Sequence, residues 1–235
     1  MDVNAISVPD RNESDTSPRP VPTERNGRKP RATSIFSVSI LGLWISMIMY
    51  GVVTLLIYDA KPGEAASAPR TLPKSNVDPR NDMPLMLVFL HPHCPCSRNT
   101  VEQLQYLLLE SQGALECRVH FVIPPDTERG WESGDLLRRV RLIPGLTVEY
   151  DRGGIQAQHF AATTSGQVLF YKRDRTLAFS GGITPSRGHA GDCMGSLAIS
   201  KLLENEDWPY RQAPIYGCQL LNSERICGEN WQCQQ

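Results

Sequence analysis

The sequence predicts an α/β domain on a sheet of mixed direction, preceded by one transmembrane helix. Three observations predict it. Ile35 to Tyr58 is a run of 24 residues without one charged side chain. Leu85 to Leu90 is a short, continuous apolar run, the pattern of a strand buried on both faces in a parallel sheet. Beyond it, segments of strand and helix character alternate as far as Leu203. The composition is that of a globular chain, with 235 residues, 40% hydrophobic and 21% charged. A formal net charge of −1 provides no global field to recruit nucleic acid, which is excluded as a partner.

The elements follow in order. Residues 1–34 hold five prolines, six basic and five acidic side chains and no aromatic residue, so they read as a disordered tail. As a helix, residues 35–58 extend roughly 36 Å, enough to cross a hydrocarbon core of ~30 Å. The rival is a cleaved signal peptide, because Ala65, Ala66, Ser67 and Ala68 offer small residues to a peptidase. The apolar run exceeds the ~7–15 residues of such a leader's core, which favours an uncleaved anchor. Arg25, Arg28, Lys29 and Arg31 precede the span, whereas Asp59, Lys61 and Glu64 follow it. That asymmetry places the N-terminus in the cytoplasm and the rest outside it, in the periplasm of a cell with an inner membrane.

Residues 59–83, with Pro62, Pro69, Pro73 and Pro79, read as an extended linker lifting a domain off the bilayer. Residues 84–205 form that domain, and 206–235 a cysteine-containing extension. Within the domain, Leu85–Leu90 is the first strand. Val101, Leu104, Leu107 and Leu108 then recur at helical spacing up to about Glu110. Leu115–Ile123 is a second strand, stopped by Pro124 and Pro125. Trp131–Val140 reads as a helix and Thr147–Tyr150 as a short strand. Gln167–Lys172 and Thr176–Ser180 flank Arg173, Asp174 and Arg175 as a β-hairpin. A last helix runs from about His189 to Leu203, with Met194, Leu197, Ala198 and Leu202 facing inward.

Two segments carry a resemblance. Phe89-Leu90-His91-Pro92-His93-Cys94-Pro95-Cys96-Ser97 and Ser180-Gly181-Gly182-Ile183-Thr184-Pro185-Ser186-Arg187-Gly188-His189 resemble membrane-anchored bacterial proteins of the RedB-like group, within the thioredoxin-like superfamily. The resemblance covers roughly residues 84–205. It implies a thioredoxin-like three-layer sandwich, an attacking thiol at Cys94, and a loop from Gly181 to His189 beside it. Protein thiols and disulfides are then the implied partners. Two departures are visible. The pair is Cys94-Pro95-Cys96, one residue shorter than the usual Cys-x-x-Cys. The loop before the hairpin reads Ala161-Ala162-Thr163-Thr164-Ser165-Gly166, where the superfamily has a proline.

The chemistry of the pair can be read independently. A cysteine at a helix start meets unpaired N–H groups and the positive end of the dipole, which favour thiolate. His93, with His91, supplies positive charge or takes the thiol proton. A Cys-x-Cys bridge closes a tighter ring than Cys-x-x-Cys, so it suits an oxidant or isomerase better than a reductant. Cys94, Cys96 and His93 are therefore the candidate catalytic residues. His91, Thr164, Ser165, Gly182, Arg187 and His189 are the candidate binding residues. No cofactor is required. The alternative is copper(I) held by Cys94, Cys96 and His189, since soft thiolate with imidazole suits that ion. A scaffold without chemistry is the remaining reading.

Seven cysteines leave at least one unpaired. Cys117, in the apolar second strand, is the candidate for a buried, inert thiol. An oxidising compartment favours bridges among Cys193, Cys218, Cys227 and Cys233. The topology has a direct check: protease added to spheroplasts is expected to remove the C-terminal domain. Full protection of that domain would overturn the orientation.

Overall fold

The computed structural model describes residues 32–73, 83–206 and 208–221. The chain divides into two units, Met1–Tyr50 and Gly51–Gln235, and the second holds the sheet. The apolar run forms helix α1, Ala32–Ala60, of which Phe36–Ala60 is long and apolar enough to cross a membrane. Most of the N-terminal tail lies outside the described residues.

The sheet has six strands: β1 (Leu85–Leu90), β2 (Glu116–Ile123), β3 (Leu146–Arg152), β4 (Gln167–Tyr171), β5 (Leu177–Gly181) and β6 (Gln212–Ala213). Their spatial order is β3-β2-β1-β4-β5-β6. The first three are parallel, β4 runs antiparallel to β1 and to β5, and β6 is parallel to β5. Every residue of β1 and β2 is buried; β1 is apolar throughout, whereas β2 also buries Glu116 and Arg118 as an ion pair, and His120.

Strand period divides the core in two. Met86, Val88 and Leu90 of β1 face helices α2 (Ser97–Glu110), α3 (Asp135–Arg141) and α5 (Met194–Leu203), through Val101, Leu104, Leu136, Val140, Ala198 and Ile199. Leu85, Leu87 and Phe89 face the other way, onto Phe160 and the short helix α4 (Ile155–His159). That second layer is completed by irregular chain from both ends of the domain: Ala66, Leu72 and Leu220 are buried in it.

The prolines at 59–83 were expected to hold the chain away from the domain. Residues 63–72 instead lie against it. Gly63 N donates to Ile215 O at 2.7 Å, Ala66 N to the Gln167 side chain at 3.0 Å, and Leu72 N to Arg175 O at 2.8 Å. Tyr171 Oη donates to Pro69 O at 3.0 Å. Ala66 and Leu72 cover apolar surface on the α4 face, and their burial offsets the ordering of the segment.

The last helix also differs from its expectation. It begins at Met194, five residues later than His189, because Cys193 is its cap: Cys193 N bonds Ser196 Oγ at 2.9 Å, and Ser196 N bonds Cys193 Sγ at 3.5 Å. Its buried face is Gly195, Ser196, Ala198 and Ile199, whereas Met194 and Leu197 are exposed. Gly195 sets that rotation, since any Cβ there would overlap the Gly182 carbonyl. The third helix starts at Asp135, after turns at Trp131–Gly134, and α4 is an element that the sequence pattern does not announce.

His120 of β2 is 1% exposed and stacked on Phe89 at a ring separation of 5.1 Å. Burial, reinforced by the charge of Arg118, pushes its pKa down to about 4. The unfolded chain therefore takes up this proton first, near the ordinary value of ~6.5. The resulting stability is present above that pH and is lost as pH falls towards 4, a change on the order of 3 kcal/mol. Urea unfolding from pH 7 to 4 is expected to show that slope in the native chain, and a shallower one in His120→Leu.

Candidate active site

The site forms where β1 hands over to α2. After Leu90 the chain turns sharply, with Cys94 N donating to His91 O at 3.1 Å. It then winds into the helix: Ser97 N bonds Cys94 O at 3.2 Å, Arg98 N bonds Pro95 O at 3.3 Å, and Asn99 N bonds Cys96 O at 3.2 Å. Cys96 is the N-cap, in right-handed helical backbone. Cys94 therefore sits in the turn leading into the helix, 3% exposed.

The loop before β4 is fastened to this turn. Ser165 Oγ accepts from His91 N and hydrogen-bonds Ser97 Oγ, both at 2.8 Å. Gly166 N donates to Phe89 O at 2.8 Å. Ser165 is thus a positioning residue, with its backbone N–H left for another partner. That partner is Cys218 O, at 2.8 Å, and two residues on, Leu220 N donates to Thr163 O at 2.8 Å. The C-terminal segment thereby pairs antiparallel with residues 163–165 and lies over Cys94, with Cys218 N 3.4 Å from Cys94 Sγ.

Glycines and one arginine seat this segment. A Cβ on Gly217 would overlap the Ser165 carbonyl, and one on Gly182 would stand 2.6 Å from Pro214 O. Arg187 donates to Gly217 O at 2.7 Å and to Lys61 O at 3.3 Å, and its guanidinium lies 4.9 Å from the Tyr58 ring centre. Gly182 and Arg187, expected to bind a partner, hold the protein's own chain.

The electrostatics separate the three thiols. Burial pushes Cys94 up, but hydrogen bonds from the side chains and backbone N–H groups of Ser97 and Cys218 outweigh it and hold Cys94 below the ordinary thiol range. Burial and then the Cys94 charge raise Cys96, against opposing help from Gly188 N–H and Arg187. Cys218 is pushed up to about 12 by burial, by its hydrogen bond to Cys94 and by the Cys94 charge, with Arg187 opposing. Cys94 is thus the thiol most disposed to ionise, set between two whose ionisation is disfavoured. Cys117 is fully buried and raised by that burial, as an inert thiol should be.

The other expected residues are distributed around this centre. His93 Nε2 hydrogen-bonds Trp131 O at 2.8 Å, and its ring meets that indole edge-on at 4.4 Å. His91 Nδ1 accepts from His93 N at 3.2 Å; burial and then His93 keep its pKa low. The groups that favour ionisation of Cys94 are those of Ser97 and Cys218. Thr164 turns away and donates to Glu64 O at 3.0 Å. His189 is exposed, with Nδ1 2.8 Å from both Ser186 Oγ and Arg187 O. Among the described residues no group of three His, Cys, Asp or Glu side chains is arranged to hold a metal ion, so the copper set of Cys94, Cys96 and His189 is not assembled. Cys193 is a free thiol capping α5, while Cys227 and Cys233 lie outside the described residues.

No family model and no curated protein matches the chain. Solved structures do. An uncharacterized conserved protein from Geobacillus kaustophilus is similar at 18% identity and a TM-score of 0.50, over 74% of this chain and 94% of that one. A secreted Mycobacterium tuberculosis disulfide oxidoreductase homologous to E. coli DsbE is similar at 15% identity and a TM-score of 0.36, over 53% and 83%. StoA from Bacillus subtilis is similar at 10% identity and a TM-score of 0.38, over 60% and 98%. The arrangement in hand is a parallel βαβ unit with the cysteines at the end of its first strand, followed by an antiparallel hairpin and a closing helix. The fold is thioredoxin-like.

Cys218 is the site residue that sequence reasoning missed, having been assigned to a bridge with the tail or Cys193. Its only signal in the sequence is Gly217 immediately before it, a residue that allows close approach to another backbone. The thiolate assignment has a spectroscopic check. Ultraviolet thiolate absorbance is expected to titrate first at Cys94, below the ordinary thiol value, and Ser97→Ala is expected to move that transition upward.

Proposed function

We propose that this protein is a membrane-anchored thiol–disulfide oxidoreductase of the RedB-like kind, acting outside the cytoplasm on protein thiols and disulfides. The observation that carries the reading is the Cys94 sulfur, buried in the turn into α2 with Cys96 two residues on and the Cys218 N–H 3.4 Å away, in surroundings that favour its ionisation. A thiolate is the attacking species in disulfide exchange, and a neighbouring thiol is what releases the resulting mixed disulfide. In the Cys-Pro-Cys reading the releasing thiol is Cys96.

The anchor and the basic flank at Arg25–Arg31 support a cytoplasmic N-terminus and a periplasmic domain. A cavity of about 450 Å³ lies beside the site, lined by His91, Pro124, Pro125, Gln219 and Leu220 among others, and offers a partner chain a place to rest.

The test is exchange with a model disulfide. Reduced full-length protein in detergent, mixed with glutathione disulfide, is expected to acquire a glutathione adduct at Cys94 and then lose it. Cys94→Ser is expected to reduce that exchange to the uncatalysed rate. Undiminished exchange in Cys94→Ser would overturn the reading, and no exchange in the native chain would favour a scaffold.

A further inference from the structure

We infer that the thiol which pairs with Cys94 in this cycle is Cys218, and that residues 213–220 are a built-in cysteine peptide docked across the site. The inference rests on the oxidoreductase reading and names the second residue of its redox pair.

The geometry separates Cys218 from Cys96. Residues 94–99 already follow a helical turn, with three successive backbone bonds spanning three residues each. Cys96 and Cys218 both reach the Cys94 side chain, but a Cys94–Cys96 bridge must close its small ring across a single proline on backbone already wound into a turn. Cys218 comes from a separate segment and meets Cys94 across the site. Its own N–H lies 3.4 Å from the Cys94 sulfur. Its carbonyl is held by Ser165 N, and Leu220 N is held by Thr163 O.

The docking is written into the chain. Gly217 and Gly182 are the residues whose missing side chains allow the segment to descend, and Arg187 clamps the Gly217 carbonyl. Pairing in the manner of an added strand, with a cysteine set on the reactive sulfur, is how an external cysteine peptide would be recognised. Here the peptide belongs to the same chain. Cys218 is also the more exposed of the two residues, Cys94 being buried.

The steps balance. The Cys94 thiolate attacks a partner disulfide, forming a Cys94–partner bond and releasing one partner thiolate. Cys218, giving its proton to solvent, attacks Cys94 Sγ; the Cys94–Cys218 bond forms and the second partner thiolate leaves. Two electrons pass from the Cys94/Cys218 dithiol to the partner disulfide. A donor dithiol restores the pair in two attacks: one donor thiolate attacks Cys218, the outer sulfur, and expels the Cys94 thiolate, then the second donor thiolate attacks its partner sulfur in that mixed disulfide, expelling Cys218 and closing the donor disulfide.

The experiment uses full-length protein in detergent, oxidised with glutathione disulfide, alkylated, digested and mapped by mass spectrometry. The expected product is a peptide cross-linked between Cys94 and Cys218. The glutathione adduct at Cys94 should persist at least tenfold longer in Cys218→Ser and in Cys218→Ala than in the native chain, whereas Cys96→Ser should clear it at the native rate. A bridge within the Cys94–Cys96 peptide, or from Cys218 to Cys193, Cys227 or Cys233, overturns the assignment. Adduct release slowed by Cys96→Ser and unaffected by Cys218→Ser overturns it as well. Those results leave the oxidoreductase reading in place. Glutathione reactivity that survives Cys94→Ser removes that reading instead.

Discussion

A thiol at 3% exposure ionises more readily than usual only if donors surround it, and the architecture around Cys94 follows from that constraint. Taking a charge out of water costs several kcal/mol unless hydrogen bonds replace the lost solvation. Each hydrogen bond to a charged acceptor contributes about 1.5–3 kcal/mol, so two or more are required. The start of α2 supplies Ser97 through its N–H and side chain, and the C-terminal segment supplies Cys218 in the same two ways. Remove the segment and half of those donors go with it. The surroundings of Cys94 are therefore built from two ends of the domain, and the sheet serves to bring them together.

The sheet does this through its two edges and its less regular face. Adding β6 beside β5 aims the chain back across the carboxyl end of β1. The 163–165 loop then receives it, fixed in place by Ser165 to both His91 and Ser97. Gly63, bonded to Ile215, and Arg187, bonded to both Lys61 and Gly217, tie the chain leaving α1 to the same segment. The two stretches that composition marks as spacer and tail are thus joined to each other over the α4 face. Their apolar residues, Ala66, Leu72 and Leu220, complete a core layer that one five-residue helix cannot cover.

These features explain what was legible in the sequence. Leu85–Leu90 announced itself because a central parallel strand is apolar on both faces, and its ends agree with the structure to the residue. The hairpin was equally plain, since Arg173–Asp174–Arg175 interrupts two apolar runs at turn length. Helix α5 was found, yet its start and face were misjudged: Met194 and Leu197 fit an apolar stripe by type, but Gly195 decides by size which side can touch β5. Ser165 was nominated and does contact the site. His93 and His189 were nominated on chemical type, and their rings are engaged by Trp131 and by Ser186. Cys218 escaped because irregular chain has no period, and its place depends on backbone pairing at a distance of more than fifty residues.

The same arrangement sets the order of events at sulfur. While Cys94 carries its charge, that charge and the hydrogen bond between them are, after burial, what keep Cys218 protonated. Once Cys94 is committed to a mixed disulfide it is neutral and no longer accepts that bond. Both influences vanish together, leaving burial as the main opposition to Arg187, which favours the ionised form of Cys218. In the proposed cycle the second thiol is therefore easier to ionise after the first has reacted than before. On the return path the leaving group is Cys94, the sulfur that Ser97 and Cys218 stabilise as thiolate, and lower thiol pKa makes for faster departure. A buried attacking thiol under a half-buried resolving one is therefore a workable order for exchange: the inner sulfur holds the charge well, and the outer one is within reach of a donor.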